Sequence, residues 1–378
     1  MNGYTFETTP RIVCEAGAAR ALGAAAAALG IRHALLVSDA GLVAAGLLDP
    51  VEASFAAAGV ATTRFTDVLA DPPEEVVLAA VDFARRAGVD GVVGLGGGSS
   101  MDTAKLVALL VGTPQELPAI YGIGLARGPR LPLIQVPTTA GTGSEVTPIS
   151  IVTTPTHEKK GVVSPLLLPD VAVLDGELTL GLPPRVTAMT GIDAMVHAIE
   201  AYTTRSKKNP ISDALAIAAM KLLHANIRRV IADGRDIAAR SAMLQGSMLA
   251  GMAFANAPVG AVHALAYPIG GHFHVPHGLS NALVLGPVMA FNQPACDALY
   301  GELAAAILPG SATGADLVAA MRDLVAEMPM EQRLRDVGIA ESDLGMLATD
   351  AMKVTRLLVN NPRDVAHTDA LALYTEAF

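Results

Sequence analysis

A carboxylate and an imidazole four residues apart, Asp193 and His197 in GIDAMVHAIEAY (191–202), share one face of a helix. A hard oxygen and a borderline nitrogen so placed can grip one divalent ion. Downstream, AVHALAYPIGGHFHVPHG (261–278) gathers His263, His272, His274 and His277, four of the nine histidines of the chain. A lone histidine on an apolar helix is more often a satisfied core residue than a ligand. Neutral imidazoles set among Ala, Val and Met need partners, however, and the joint pattern favours a shared metal. One carboxylate with three imidazoles suits Fe(II) or Zn(II) and leaves room for a substrate oxygen. His272 and His274 stay open as proton carrier, ligand support or surface.

A second constellation suits an anion. In GVVGLGGGSSMDTAK (91–105), Gly94, Gly96, Gly97 and Gly98 follow a strand pattern and lead into Ser99 and Ser100 at the start of a helix. Glycines let the backbone approach a ligand, and free N–H groups with the helix dipole favour a pyrophosphate. The spacing is neither GxGxxG nor a P-loop, since Lys105 comes too late; a tight turn needing glycine for steric reasons is the competing reading. Asp39, ending HALLVSDAG, can accept hydrogen bonds from an adenosine ribose and would repel a 2′-phosphate, favouring NAD over NADP. Capping the next helix is an equally good use for it. The loop VPTTAGTGSEVTP (136–148) crowds Thr138, Thr139, Thr142, Ser144 and Thr147 around Gly141 and Gly143, which suits a nicotinamide or its phosphate and equally an ordinary turn. Lys160, in HEKK, reads from composition as a solvated charge.

These groups need two kinds of scaffold. At 378 residues the chain exceeds one ordinary core, and 52% hydrophobic residues with 4% aromatics and no Trp imply interiors filled by small aliphatic side chains and Met. A net charge of -10 without Lys/Arg runs argues against nucleic-acid binding. Only Cys14 and Cys296 occur, so a disulfide framework is not expected. Neither a leader of the usual pattern nor a spanning apolar run is read, which places the protein in the cytoplasm and off the membrane. Strand patterns at 33–37, 62–65 and 91–95 alternate with helical ones at 50–58, 73–87 and 101–111, and the Ala-rich 17–29 reads as helix. This alternation predicts a parallel sheet covered on both faces, with ligands at the carboxyl ends of its strands. After Leu182, Pro183 and Pro184 break the chain and long Ala/Leu/Met periodic segments follow. The expected domains are therefore 1–182, α/β, and 183–378, all helical.

With GGGSSMDTAK, PTTAGTGSE, GIDAMVHAIEAY and the H-x13-H stretch ending PHG, the sequence resembles the iron-containing (group III) alcohol dehydrogenase family over almost its whole length. The resemblance implies a Rossmann-like α/β dinucleotide-binding domain, a helical metal-binding domain of the dehydroquinate synthase-like fold, and a homodimer. It places the metal ligands at Asp193, His197, His263 and His277. Nucleotide contacts fall on Asp39, Gly96, Gly97, Gly98, Ser99, Thr138, Thr139, Thr142 and Lys160, with Asp102 beside the pyrophosphate loop. Tyr267 stands where several members carry a further histidine, which leaves His274 or a water chain to move the proton. Asp71 replaces a frequent asparagine near the adenosine.

The expected reaction moves a hydride between a small alcohol or aldehyde and nicotinamide C4, with the metal acting on the substrate oxygen and a cleft between the domains positioning the reactants. Ile149, Phe254 and Tyr267 suggest an apolar pocket. A maleylacetate-type keto-acid reductase is the nearer rival and a dehydroquinate synthase-like lyase the more distant one. Both need cations around the substrate, and only Lys160 and Arg205 offer themselves near the expected cleft.

Overall fold

The computed structural model describes residues 3–156, 158–310 and 313–378. Its contacts divide the chain into two compact units. One comprises 7–181 and 235–248; the other comprises 182–234 and 249–378, with the N-terminal residues through Phe6. Compared with the expected halves, 235–248 joins the α/β unit and the residues through Phe6 join the helical one. Small residues permit the first exchange: a Cβ on Gly176 would lie 2.3 Å from Ser241 Oγ, so only glycine admits that close approach.

In the α/β unit, strands β1 (Arg11–Cys14), β2 (His33–Val37), β3 (Ala61–Phe65), β4 (Gly91–Gly96), β6 (Leu133–Pro137) and β9 (Val171–Leu174) form a parallel sheet ordered β1-β9-β6-β4-β2-β3. Helices α1 (Leu22–Ala28), α2 (Ala40–Ala44), α3 (Asp49–Ala57), α4 (Glu74–Ala87) and α5 (Gly98–Gly112) alternate with the strands. One buried cluster joins Val77 and Ala80 of α4 and Leu106 of α5 to Leu35 and Val92; another joins Leu22 and Phe55 to Leu36, Val93 and Ile134. Burial on both faces explains why central strands such as β4 read as unbroken apolar runs. A smaller sheet is ordered β5-β8-β7, from β5 (Gly122–Ile123), β7 (Ile149–Thr153) and β8 (Lys159–Val163).

The other unit contains α6 (Pro184–Thr203), α7 (Pro210–Ala232), the later part of α8 (Ile237–Asn256), α9 (Ala261–Phe273), α10 (His277–Ile307), α11 (Gly314–Glu327), α12 (Leu344–Ala351), α13 (Thr355–Leu358) and α14 (His367–Ala377). Pro184 opens α6, where its missing N–H costs nothing. Helix α6 packs against α7 and α10, and α9 against α10 and α12. Burial runs almost continuously from Thr187 to Thr203, so the polar groups of α6 must find partners inside protein. Among the described residues, no single helix is long and apolar enough to cross a membrane.

Candidate metal centre and anion loop

Asp193, His197 and Glu200 occupy positions i, i+4 and i+7 of α6 and so share a face. His263 lies in the first turn of α9, and His277 is the first residue of α10. Gly278 lets α10 approach: a Cβ there would sit 2.5 Å from Met189 O and 3.3 Å from Asp193 Cβ, so the PHG glycine is a packing requirement. One ligand atom each from Asp193, His197, His263 and His277 then lie within 4.8 Å of one another. His263 Nε2 is 3.0 Å from His197 Nε2, and Asp193 Oδ1 is 3.9 Å from His263 Nε2 and 3.7 Å from His277 Nε2. Four donors around an ion with bonds of about 2.1 Å stand roughly 3.4 Å apart. The donor set therefore fits a divalent metal in both chemistry and spacing.

Two further residues, which the sequence reading passed over, complete the centre. Glu200 accepts 2.6 Å from His263 Nδ1 and 2.7 Å from the Val262 N–H. A carboxylate facing Nδ1 holds the proton there and leaves the Nε2 lone pair for the centre, the usual support of a metal-binding imidazole. Asn281, one turn after His277, donates from Nδ2 to Asp193 Oδ1 at 2.6 Å, while its own Oδ1 is buried without a hydrogen-bond partner among the described residues. Burial pushes the Asp193 carboxyl up to about 6, against the opposing pull of His263 and the Asn281 hydrogen bond, with Glu200 adding a smaller upward push. A bound cation would favour the carboxylate form. The D-x3-H-x2-E spacing on α6 and H-x3-N on α10 were the signals available for both residues.

Phe254, expected in the pocket, stacks on His197 with ring centroids 4.3 Å apart. The side chains of Asp193 and His263 are 2% and 3% exposed, whereas His277 is 30% exposed, so solvent reaches the cluster past His277. Tyr267, one turn after His263, stands on that side with its ring 6.2 Å from that of His277, and Arg356 donates to its hydroxyl at 3.1 Å. His274 caps α9 in the left-handed conformation, exposed and outside the four-residue cluster. His272 is engaged with Asp350 at 2.6 Å.

In the α/β unit, Gly96 ends β4 and α5 begins at Gly98. Gly96 has φ +154°, and a Cβ there would meet Ser100 Cβ at 2.7 Å; one on Gly98 would meet Thr142 Cγ2 at 2.8 Å, and one on Gly97 Thr139 Oγ1 at 3.6 Å. Thr138 donates its N–H to Gly96 O, which fastens the loop of 138–147 beside the glycines. Asp39 caps α2, accepting from the N–H groups of Gly41 and Leu42 through Oδ1. Its Oδ2 is 3.7 Å from the Cβ position of Gly96, so capping and a place at the loop coexist. Ser99 Oγ accepts from the Asp71 N–H, and Asp71 pairs with Lys159 at 2.6 Å. Lys160 is exposed beside Glu158.

Not every polar group of these loops points outward. Asp102 accepts from Ser144 Oγ at 2.6 Å and from the Ile151 N–H at 2.8 Å. Lys105, fully buried, donates to Ser144 Oγ, Thr147 Oγ1 and Ile149 O. Ser144 and Thr147 are thus consumed in holding the loop, while Thr139 and Thr142 face the glycines. Burial lowers Lys105 to about 8 and raises Glu145 to about 7, with Lys105 pulling the glutamate down by less. The backbone amides at the start of α5 can receive an anion such as a phosphate.

The family model described as iron-containing alcohol dehydrogenase matches 9–176, and the C-terminal model of the Fe-containing alcohol dehydrogenase family matches 187–378. The chain is 41% identical to the "Probable alcohol dehydrogenase EutG" of Salmonella typhimurium, covering 99% of this chain and 94% of that protein. It is 42% identical to long-chain-alcohol dehydrogenase 1 of Geobacillus thermodenitrificans over 93% of this chain and 90% of the relative. A crystal structure of 1,3-propanediol oxidoreductase superposes with a TM-score of 0.96 at 33% identity, each chain covered completely. Two family models spanning both units, together with a donor cluster suited to a divalent ion, place this chain in the iron-containing alcohol dehydrogenase family.

Proposed function

We propose that this protein is an NAD-linked, metal-dependent alcohol dehydrogenase and aldehyde reductase whose divalent ion, iron first and zinc second, is held by Asp193, His197, His263 and His277. The convergence of these four ligand atoms within 4.8 Å carries the reading. When bound, the ion supplies Lewis acidity toward the substrate oxygen.

The remaining work falls to the chain. Glu200 keeps His263 in the tautomer that presents Nε2. Asn281 orients Asp193 through its amide, and Phe254 holds the His197 ring by stacking. The glycine loop offers backbone amides to the pyrophosphate, with Thr139 and Thr142 beside it. Asp39 and Asp67 meet in a backbone β-bridge, and the Asp39 carboxylate beside Gly96 supports NAD over a cofactor with a 2′-phosphate. Bound NAD would supply the hydride acceptor in oxidation, and Tyr267, beside the partly exposed His277, borders the side on which the hydroxyl proton would leave to solvent. A cytoplasmic homodimer belongs to the same proposal and rests on the family resemblance.

The test is absorbance at the NADH band with a panel of alcohols and aldehydes, run on protein loaded with Fe(II) or Zn(II) and on chelated protein. Turnover that needs the metal and prefers NAD supports the proposal; equal turnover after complete metal removal rejects it.

A further inference from the structure

Arg356 is a third cation to set beside Arg205 and Lys160. Arg205, one of the two candidates, is committed to Asp364 at 2.6 Å and to Val359 O, and Lys160 is paired with Glu158. Arg356, an exposed residue on α13, has no carboxylate within 4.0 Å among the described residues, and its side-chain hydrogen bond is to the phenol Tyr267 Oη, at 3.1 Å. Its guanidinium lies 5.6 Å from the centroid of the same ring. That ring neighbours His277, the exposed member of the four-ligand cluster. Around the cluster itself Phe254 covers His197, and Glu200 is spent on His263 and Val262. A guanidinium has five donors in a planar fork, and one bond to a phenol leaves most of them for a ligand.

We infer that Arg356, steadied by Tyr267, is a specificity-determining residue that receives an anionic group, a carboxylate or sulfonate, on a short aldehyde or alcohol entering past His277. The inference rests on the proposed dehydrogenase activity and deepens it by naming a substrate class. A planar two-oxygen anion matches the guanidinium fork, and its negative charge supplies the acidic partner that this cation lacks among the described residues. The substrate then bridges two points, its carbonyl end at the histidine cluster and its acid end at Arg356, so discrimination against neutral aldehydes comes from the far end.

The experiment compares kcat/KM with NADH for malonic, succinic and glutaric semialdehydes against propanal, butanal and pentanal, using metal-loaded wild type, Arg356→Ala and Arg356→Lys. The wild type is expected to prefer the acid of the best-fitting length at least about tenfold. Arg356→Ala should collapse that ratio by about tenfold or more, chiefly through KM, and Arg356→Lys should restore part of it because a lysine keeps the charge without the fork. A ratio in Arg356→Ala within twofold of wild type overturns the inference, as does a wild type that favours neutral aldehydes throughout. Calorimetric titration of the same proteins with succinate separates the two layers. If wild type reduces neither series, the dehydrogenase reading has failed, and Arg356 is judged by binding alone. About tenfold weaker succinate binding in Arg356→Ala sustains the anion site, and unchanged binding removes it.

Discussion

The glycine loop and the four-donor cluster solve opposite problems. The loop presents backbone amides, so its residues are chosen for what they lack: Gly96 and Gly98 are required because a Cβ would strike Ser100 or Thr142. The cluster presents side chains from α6, α9 and α10, so its residues are chosen for donor chemistry, and the glycine beside it, Gly278, serves only to bring helices together. A backbone site is written in one contiguous segment. A side-chain site depends on helices far apart in the chain packing in one way.

The comparison breaks most visibly at His263. His263→Ala should leave less than about a tenth of the wild-type metal content and abolish turnover, since a four-donor site loses an inner ligand; NADH affinity by fluorescence should stay within about threefold. If NADH binding fell with the metal, the two sites would not be separable. Next comes Glu200→Gln, which keeps shape but removes the carboxylate that fixes the His263 tautomer. Metal affinity should fall about 10- to 100-fold in competition with a chelating dye, and an unchanged affinity would deny Glu200 its role.

Gly96→Ala attacks the other region. With φ +154° and a 2.7 Å contact to Ser100 Cβ, the loop must shift. NADH affinity should weaken about tenfold, in keeping with about 1–3 kcal/mol of local strain, and metal content should hold. Loss of metal in this variant would contradict the separation. The last effect, on stability and not on binding or turnover, is a pH dependence under the loop. Glu145, buried at 1% exposure, titrates at about 7 rather than 4.5. Its raised value means that the folded chain binds the proton more tightly, so its contribution to stability is full below about pH 4.5 and is lost as pH rises through about 7. Glu145→Gln should therefore gain stability relative to wild type from about pH 5 to pH 8, by up to roughly 3 kcal/mol at about 1.4 kcal/mol per unit. Urea midpoints at the two pH values read this, and a constant difference would show that the carboxyl is not titrating.

The parts legible in advance were those governed by neighbours in the chain. Strands at 33–37 and 91–95 and the helices between them follow from alternating patterns, and β2 and β4 occupy nearly those residues. The edge strand β3 falls close to the expected 62–65, but the edge strands β1 and β5 were not legible: both are short and carry exposed residues, so no apolar period marks them. In the loop of 136–148, five hydroxyl residues looked equivalent, yet Ser144 and Thr147 serve buried Lys105 and only Thr139 and Thr142 stand against the glycines. Lys160 was the basic residue carried over from the family, while its neighbour Lys159 is the one tied through Asp71 to Ser99; strand alternation sends the two in opposite directions.

By itself the sequence determined which atoms could bind a divalent ion and which backbone could accept a phosphate, because donor identity and i, i+4 spacing are local properties. Only the tertiary structure decided that Glu200 would hold the His263 proton, that Asn281 would reach Asp193, and that Arg356 would meet the Tyr267 hydroxyl. Each of those pairs is more than sixty residues apart. Contacts across such separations exist only once helices have packed, and packing is a property of whole buried faces that no short motif records.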